Sequence, residues 1–178
     1  MDVTFIQDIL GTLLTHLGLP SEGITVTEEG DILRVDIKSP QPSRIIGWHG
    51  ETLNALQHLV KSMVRAKEQL EKSPFIVIDV DGYRRAQEEK IRRLAEQKAD
   101  FVRRTGSRIA LAPMSPYFRR IVHLHVANTP NLQDLTTESI GEGEYRQIVL
   151  RLKEEKQKGD EELMPVIAPD DGLENLDI

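Results

Sequence analysis

The stretch Ile45-Ile46-Gly47-Trp48-His49-Gly50 decides how the chain is read. Two glycines spaced by two residues let backbone approach a sugar-phosphate chain closely, because neither carries a side chain and both accept positive φ. The amides that open a following helix then offer donors and the positive end of a dipole to phosphate. Alone the pattern is weak, since a tight helix-to-helix turn also uses two glycines, so the surroundings carry the argument. Arg44-Ile45-Ile46 is a short apolar step into the turn. After it, Leu53, Leu56, Leu59, Val60, Met63 and Val64 share one face of a long helix, whose polar end and turn run from Ala66 to Pro74. Phe75-Ile76-Val77-Ile78-Asp79-Val80 reads as a strand. Upstream, Val3, Ile6, Ile9, Leu10, Leu13, Leu14 and Leu17 recur at helical spacing until Gly18 and Pro20 stop them. Ile24-Thr25-Val26 and Ile32 to Ile37 alternate around Glu29-Gly30-Asp31, the pattern of a hairpin.

Beyond Val80 the chain changes character. The spacing predicts a helix over 83–104, with Ile91, Leu94, Ala95, Phe101 and Val102 as its apolar stripe and Arg85, Arg92 and Arg103 stacked on a flank. Thr105-Gly106 ends it, and a short strand follows over 108–111. Ser115-Pro116 then supplies an N-cap and a proline at the first position of a helix running to about Asn128. In that helix Arg119 and His123 are four apart and share a face. An arginine fork beside an imidazole suits a phosphate or the edge of a base; a plain surface helix carrying both is the other reading of that spacing. Two last strands, near Leu135 and over 145–152, flank Ser139-Ile140-Gly141-Glu142-Gly143.

With 23 Lys+Arg against 29 Asp+Glu, the 178-residue chain is formally −6, which as a bulk figure argues against nucleic acid. The charges are sorted along it, however. Residues 1–83 hold 7 bases and 12 acids, residues 84–124 hold 11 and 4, residues 125–153 hold 3 and 4, and residues 154–178 hold 2 and 9. A nearly neutral body with one basic stretch points to nucleic acid or a membrane surface. The absence of cysteine excludes a disulfide framework, a thiolate metal site and a cysteine nucleophile, and fits a reducing compartment. No apolar run approaches the roughly 18 residues of a membrane span, and residues 1–19 lack a signal-peptide pattern, so a cytoplasmic protein without membrane insertion is expected. Residues 154–178, rich in Glu, Asp, Gly and Pro, read as a disordered acidic tail. It either solubilises the chain or folds back on the arginine-rich helix as a competitor for nucleic acid.

Helix, hairpin, apolar step, Gly-x-x-Gly, long amphipathic helix and strand together resemble a type II KH domain. Ile46-Gly47 and Thr52-Leu53-Asn54-Ala55-Leu56-Gln57-His58-Leu59-Val60 look like the corresponding run of bacterial KH proteins. In such domains the turn clamps about four single-stranded nucleotides. Here Trp48 and His49 stand where basic residues are common, which weakens the Coulombic grip and leaves Trp48 to stack on a base or to serve a protein contact. Farther on, Pro113-Met114-x-Pro116-Tyr117, Arg119-Arg120-x-x-His123 and Thr137-x-Ser139-x-Gly141-x-Gly143-x-x-Arg146 resemble the R-three-H domain of the Jag family of bacterial RNA-binding proteins. Phe118 stands where that family often has Glu, which removes one carboxylate partner for the arginines.

The resemblance covers residues 1 to about 153 and implies an α+β protein. A type II KH domain over 1–81, a three-stranded sheet with helices on one face, precedes a small R-three-H α/β domain over 82–153 with three strands and two helices. The small N-terminal Jag domain of many members is expected to be missing. The implied function is non-catalytic binding of single-stranded RNA by a post-transcriptional regulator linked to cell elongation and division, with no cofactor, no metal and no small-molecule substrate. Ile46, Gly47, Trp48, His49 and Gly50 would hold RNA at the KH turn. Arg119, His123, Arg120, Arg146, Arg85 and Arg92 would bind it in the second domain. A small separate KH protein in a heterodimer, or a second copy of the chain, is the implied protein partner.

Two rivals stay open. A protein adaptor in cell-envelope control, with weak or lost RNA binding, is favoured by the acidic residues 1–83 and the non-basic turn. A single-stranded DNA binder shares nearly every feature, because a contact to the 2′-hydroxyl is not legible in sequence. Other constellations carry less. His123 and His125 project from divergent helix faces, Asp79 and Asp81 lack a third acid for Mg²⁺, and Ser139 has no nucleophile-elbow context. A nuclease using His123 would need a second acid-base group that the sequence does not identify.

Overall fold

The computed structural model describes residues 2–30, 32–153 and 166–167. Asp31 in the hairpin turn, and the tail apart from Val166–Ile167, lie outside the described residues. The chain divides after Arg85 into two compact units.

In the first unit α1 (Val3–His16) starts at Asp2, whose carboxylate accepts the Phe5 N–H at 3.0 Å. That bond, with the Lys67 ammonium beyond it, holds the Asp2 carboxyl below its ordinary range. The strands β1 (Gly23–Glu29) and β2 (Ile32–Lys38) pair antiparallel, Ile24 opposite Ile37 and Val26 opposite Val35. β3 (Ile76–Val80) joins β2 in parallel, giving the order β1-β2-β3. A parallel partner needs a long crossover, which α2 (Pro42–Ile46), the turn and α3 (Glu51–Lys67) supply. Leu10 and Leu14 of α1, Val35 and Ile37 of β2, and Leu53, Leu56, Val60 and Val64 of α3 close on Ile76, Ile78 and Val80. Leu59 and Met63 depart from the expected stripe and stay 46% and 41% exposed. They lie about 100° around the helix from Val60 and Val64, which take the inward face.

Asp79 decides where this unit ends. Its fully buried carboxylate accepts the N–H groups of Val80 and Arg84 at 2.8 Å and of Arg85 at 3.3 Å. Arg84 donates from Nε to the Ile78 carbonyl at 2.8 Å and from its guanidinium to the Asn54 side-chain oxygen at 2.6 Å. Residues 82–85 are thereby bonded into the first unit, past the boundary expected at 81. Asp81 pairs with Lys38 at 3.3 Å, so both carboxylates of this strand end have structural partners.

The second unit is built on α4 (Tyr83–Thr105), which from Ala86 onward buries Ile91, Leu94, Ala95, Ala99 and Val102. Phe101, expected in that stripe, is only partly buried. α5 (Pro116–Asn128) contributes Phe118, Val122 and Val126. Phe118 is 1% exposed, so the residue that departs from the family pattern serves the core. Pro116 opens α5 as expected, but Ser115 makes no side-chain cap bond. β5 (Leu135–Ile140) and β6 (Gln147–Leu152) form an antiparallel hairpin, and β4 (Ile109–Ala110) lies on the other edge of β6. A fourth strand, β7 (Val166–Ile167), runs parallel to β4 and completes the order β5-β6-β4-β7. Three strands were expected here. The fourth pairs through the open edge of β4, Ile109 opposite Val166 and Ala110 opposite Ile167.

Candidate nucleic-acid interface

The Gly-x-x-Gly turn lies between two helices, with Gly47, His49 and Gly50 at positive φ. α2 ends at Gly47, with φ +76° and ψ −170°, and the Gly47 N–H returns to the Ser43 carbonyl at 2.9 Å. His49 at φ +47° and Gly50 at φ +83° follow before α3 begins at Glu51. A Cβ on Gly47 would stand 2.1 Å from the Thr52 hydroxyl oxygen, so only glycine fits. Trp48 projects into solvent, 77% exposed, with its ring edge-on to His49 at 4.6 Å. The amides opening α3 face the same end, although Glu51 in that first turn partly cancels their attraction for phosphate.

In the second unit the structure brings Arg119, His123 and Arg146 together. His123 is clasped by alternate residues of β5: Nδ1 lies 2.7 Å from the Thr137 hydroxyl and Nε2 3.0 Å from that of Ser139. Burial, then Arg119 and Arg146, push the His123 pKa below its ordinary value. Burial and Arg146 likewise lower that of Arg119, whose Nε is buried without a hydrogen-bond partner among the described residues. Neither arginine has a carboxylate partner among the described residues. Two like charges held near each other, one of them with a buried donor unspent, give this corner of the second unit a local excess of positive charge. With each ring nitrogen within hydrogen-bond distance of a hydroxyl, His123 ties α5 to β5.

The other arginines singled out in the sequence are placed differently. Arg85 pairs with Asp36 at 3.0 Å and Glu29 at 3.4 Å in the first unit. Arg92 pairs with Glu88 at 3.1 Å, and Glu88 also accepts the Tyr117 hydroxyl at 2.5 Å. Arg103 forks onto Asp134 at 2.7 and 2.8 Å and donates to the Asn131 carbonyl, anchoring the end of α4. Arg120, one residue from Arg119, is half-buried about 100° around α5. His125 turns to Glu96 at 2.9 Å, away from His123. Among the described residues no group of three or more histidines or acids is placed to hold a metal ion, and no helix is long and apolar enough to cross a membrane. Sequence reasoning did not assign Thr137 and Ser139 their clasp, although their alternate spacing on a strand, which aims both at one face, was the available signal.

The clasp has a pH consequence. Because the folded pKa of His123 is lowered, protonation favours the unfolded chain. Its stabilising contribution is complete above the unfolded value of roughly 6.5 and is lost as pH falls from there toward the folded pKa. The destabilisation caused by His123→Asn is therefore expected to be larger at pH 7.5 than at pH 5.5, measured by urea denaturation followed by circular dichroism. An equal loss at both pH values would show that His123 carries no such linkage.

Comparison with known proteins agrees with both halves of this description. The family model for the KhpA/KhpB-type KH domain matches residues 4–76, and that for the R-three-H domain matches residues 89–152. A Clostridium symbiosum protein named RNA-binding protein KhpB is 33% identical over 128 residues, covering 71% of this chain and 54% of its own length. The Bacillus subtilis protein of that name is 33% identical over 130 residues, 73% of this chain and 61% of its own length. That of Lactiplantibacillus plantarum is 34% identical over 146 residues, 82% and 44% respectively. The chain thus spans about half the length of the curated relatives it matches. Each aligned stretch is longer than either unit, so each reaches into both. A KhpA/KhpB-type KH domain followed by an R-three-H domain, with relatives of one name aligned across the two, places the chain in the Jag family of KhpB-like proteins.

Proposed function

We propose that this protein binds single-stranded RNA without catalysis, in the cytoplasm, as a post-transcriptional regulator linked to cell elongation and division. The observation that carries this reading is the cluster of Arg119 and Arg146 beside His123, a concentration of positive charge that no described carboxylate offsets. The KH turn adds backbone donors and the exposed Trp48 ring. His123, held by two hydroxyls, is poorly suited to general acid-base work, which supports binding over hydrolysis. The names of the relatives point the same way, since each is an RNA-binding protein.

A second reading rests on one observation. Leu59 and Met63, four apart on α3, form an exposed apolar strip suited to a protein contact, with a small separate KH protein or a second copy of the chain. In its extreme form this is an adaptor whose RNA affinity has been lost. One titration separates the two. A labelled random pool of single-stranded RNA is expected to bind saturably, and two cationic phosphate contacts (Arg119 and Arg146) imply a salt slope of about −1.4. Affinity then falls about sevenfold between 50 and 200 mM salt. Absence of saturable, salt-sensitive binding would overturn the RNA-binding reading and is the result that the adaptor predicts. Competition by single-stranded DNA of the same length measures the preference for ribose.

A further inference from the structure

We infer that Tyr145 is the floor of a base subsite, on which an unpaired base of single-stranded nucleic acid stacks while Arg146 and Arg119 hold its flanking phosphates. The inference rests on the RNA-binding reading above and assigns to it a residue that the charge pattern does not reveal.

Tyr145 is 80% exposed, more than any other large apolar or aromatic side chain among the described residues. Its hydroxyl makes no hydrogen bond among them. A tyrosine ring standing in water contributes little to the fold, and aromatic faces so presented are what unstacked bases bind. The loop that presents it is nevertheless held firmly. Gly141 sits at φ +85°, and a Cβ there would lie 2.9 Å from the Tyr145 carbonyl oxygen. The Tyr145 N–H donates to the Glu142 carbonyl at 3.2 Å and the Arg146 N–H to that of Gly143 at 3.4 Å. The Arg146 carbonyl accepts the Met114 N–H at 3.3 Å, which ties the loop to the segment entering α5. Ring and guanidinium thus spring from adjacent, fixed backbone positions about 3.8 Å apart, within the reach of one nucleotide. Exposed Glu142, in the same loop, repels phosphate and so favours a neutral base over the sugar-phosphate chain beside the ring.

The first unit repeats the construction. Trp48, 77% exposed, stands between Gly47 and Gly50, both at positive φ. In each unit the most exposed aromatic is mounted on a glycine-bent turn next to groups suited to phosphate. Aromatic stacking does not depend on base identity, so the subsite would grip strands of varied sequence.

The test uses the full chain and two labelled probes of equal length, a random-sequence RNA 12-mer pool and an abasic ribose-phosphate 12-mer. Tyr145→Ala is expected to weaken binding of the RNA pool about five- to tenfold without changing the salt slope, and to leave binding of the abasic chain unaltered. Tyr145→Phe, which keeps the ring, is expected to bind RNA as the unmodified chain does. Because the side chain is exposed, the melting curve of both variants should match that of the parent. An equal deficit on the abasic probe would mean that Tyr145 only positions Arg146, and wild-type affinity of Tyr145→Ala for RNA would likewise overturn the subsite. Arg119→Ala, run in parallel, keeps the two ideas apart. If Arg119→Ala weakens RNA binding and Tyr145→Ala does not, the subsite fails and the RNA-binding reading stands. If the unmodified chain does not bind the RNA pool, both fail together.

Discussion

Gly47→Ala is expected to lower the stability of the first unit by about 3 kcal/mol and to destroy the shape of the KH turn. Two costs add. The backbone at φ +76° and ψ −170° lies in a region essentially confined to glycine, and forcing another residue there costs about 1–3 kcal/mol. The new methyl would also stand 2.1 Å from the Thr52 hydroxyl oxygen, 2.8 Å from its Cβ and 3.0 Å from its backbone nitrogen. Thr52 lies in the first turn of α3, so the helix start itself must shift. Gly30→Ala is the matched control, since Gly30 has φ +58° but nothing within 4 Å of its would-be Cβ, and about 1–2 kcal/mol is expected there. Adding Thr52→Ala to Gly47→Ala removes the side-chain overlap and leaves the backbone strain, so it should recover only part of the loss. Urea denaturation followed through the fluorescence of Trp48, the one tryptophan of the chain, reads the turn directly. Equal stability of Gly47→Ala and Gly30→Ala would refute the steric argument.

Arg119→Glu is expected to weaken RNA binding about a hundredfold while leaving the fold at least as stable. One charge-assisted contact is worth about 1.5–3 kcal/mol, so loss of the fork alone, in Arg119→Ala, costs roughly thirtyfold and about 0.7 of the salt slope. Glutamate adds repulsion of the same phosphate. Arg119→Lys keeps the charge and hence the slope, but loses the planar fork and part of the affinity. Stability moves the other way. Arg119 buries an unpartnered Nε and faces Arg146, so removing its charge relieves both. A loss of binding that merely followed a loss of stability would point to a scaffold role. RNA affinity and salt slope unchanged in Arg119→Glu would remove the second site altogether.

The separation between the two effects follows from how charge is arranged in the folded chain. The basic stretch from Arg84 to Leu124 holds 11 of the 23 Lys+Arg, which made α4 the natural place to look for phosphate contacts. In the fold Arg84 is used on the Ile78 carbonyl and Asn54, and Arg85, Arg92 and Arg103 are matched to Asp36, Glu88 and Asp134. The positive charge without a described carboxylate partner at Arg119 and Arg146 comes from the shorter helix α5 and the loop before β6. Composition marks a basic stretch, whereas the partner that each arginine in it meets is set by the fold.

Several features were legible in the sequence because they are local. Apolar periodicity marks α1, α3 and α4 wherever their inward faces end up, Ser115-Pro116 marks the start of α5, and the glycine spacing at 47 and 50 favours a turn that other residue types make less easily. The i,i+4 spacing alone puts Arg119 and His123 on one face. What the tertiary structure decided depends on chain segments returning to one another. The Arg85–Asp36 pair joins residues 49 apart, and the His123–Thr137 clasp residues 14 apart. Whether an arginine is spent on a carboxylate, whether an imidazole keeps a free nitrogen, and whether two aliphatic residues of an acidic stretch complete a sheet are all set by such returns. Periodicity and motif spacing fix which face a side chain shares, whereas the partner across from it, and therefore its charge and chemistry, is chosen only by the packed fold.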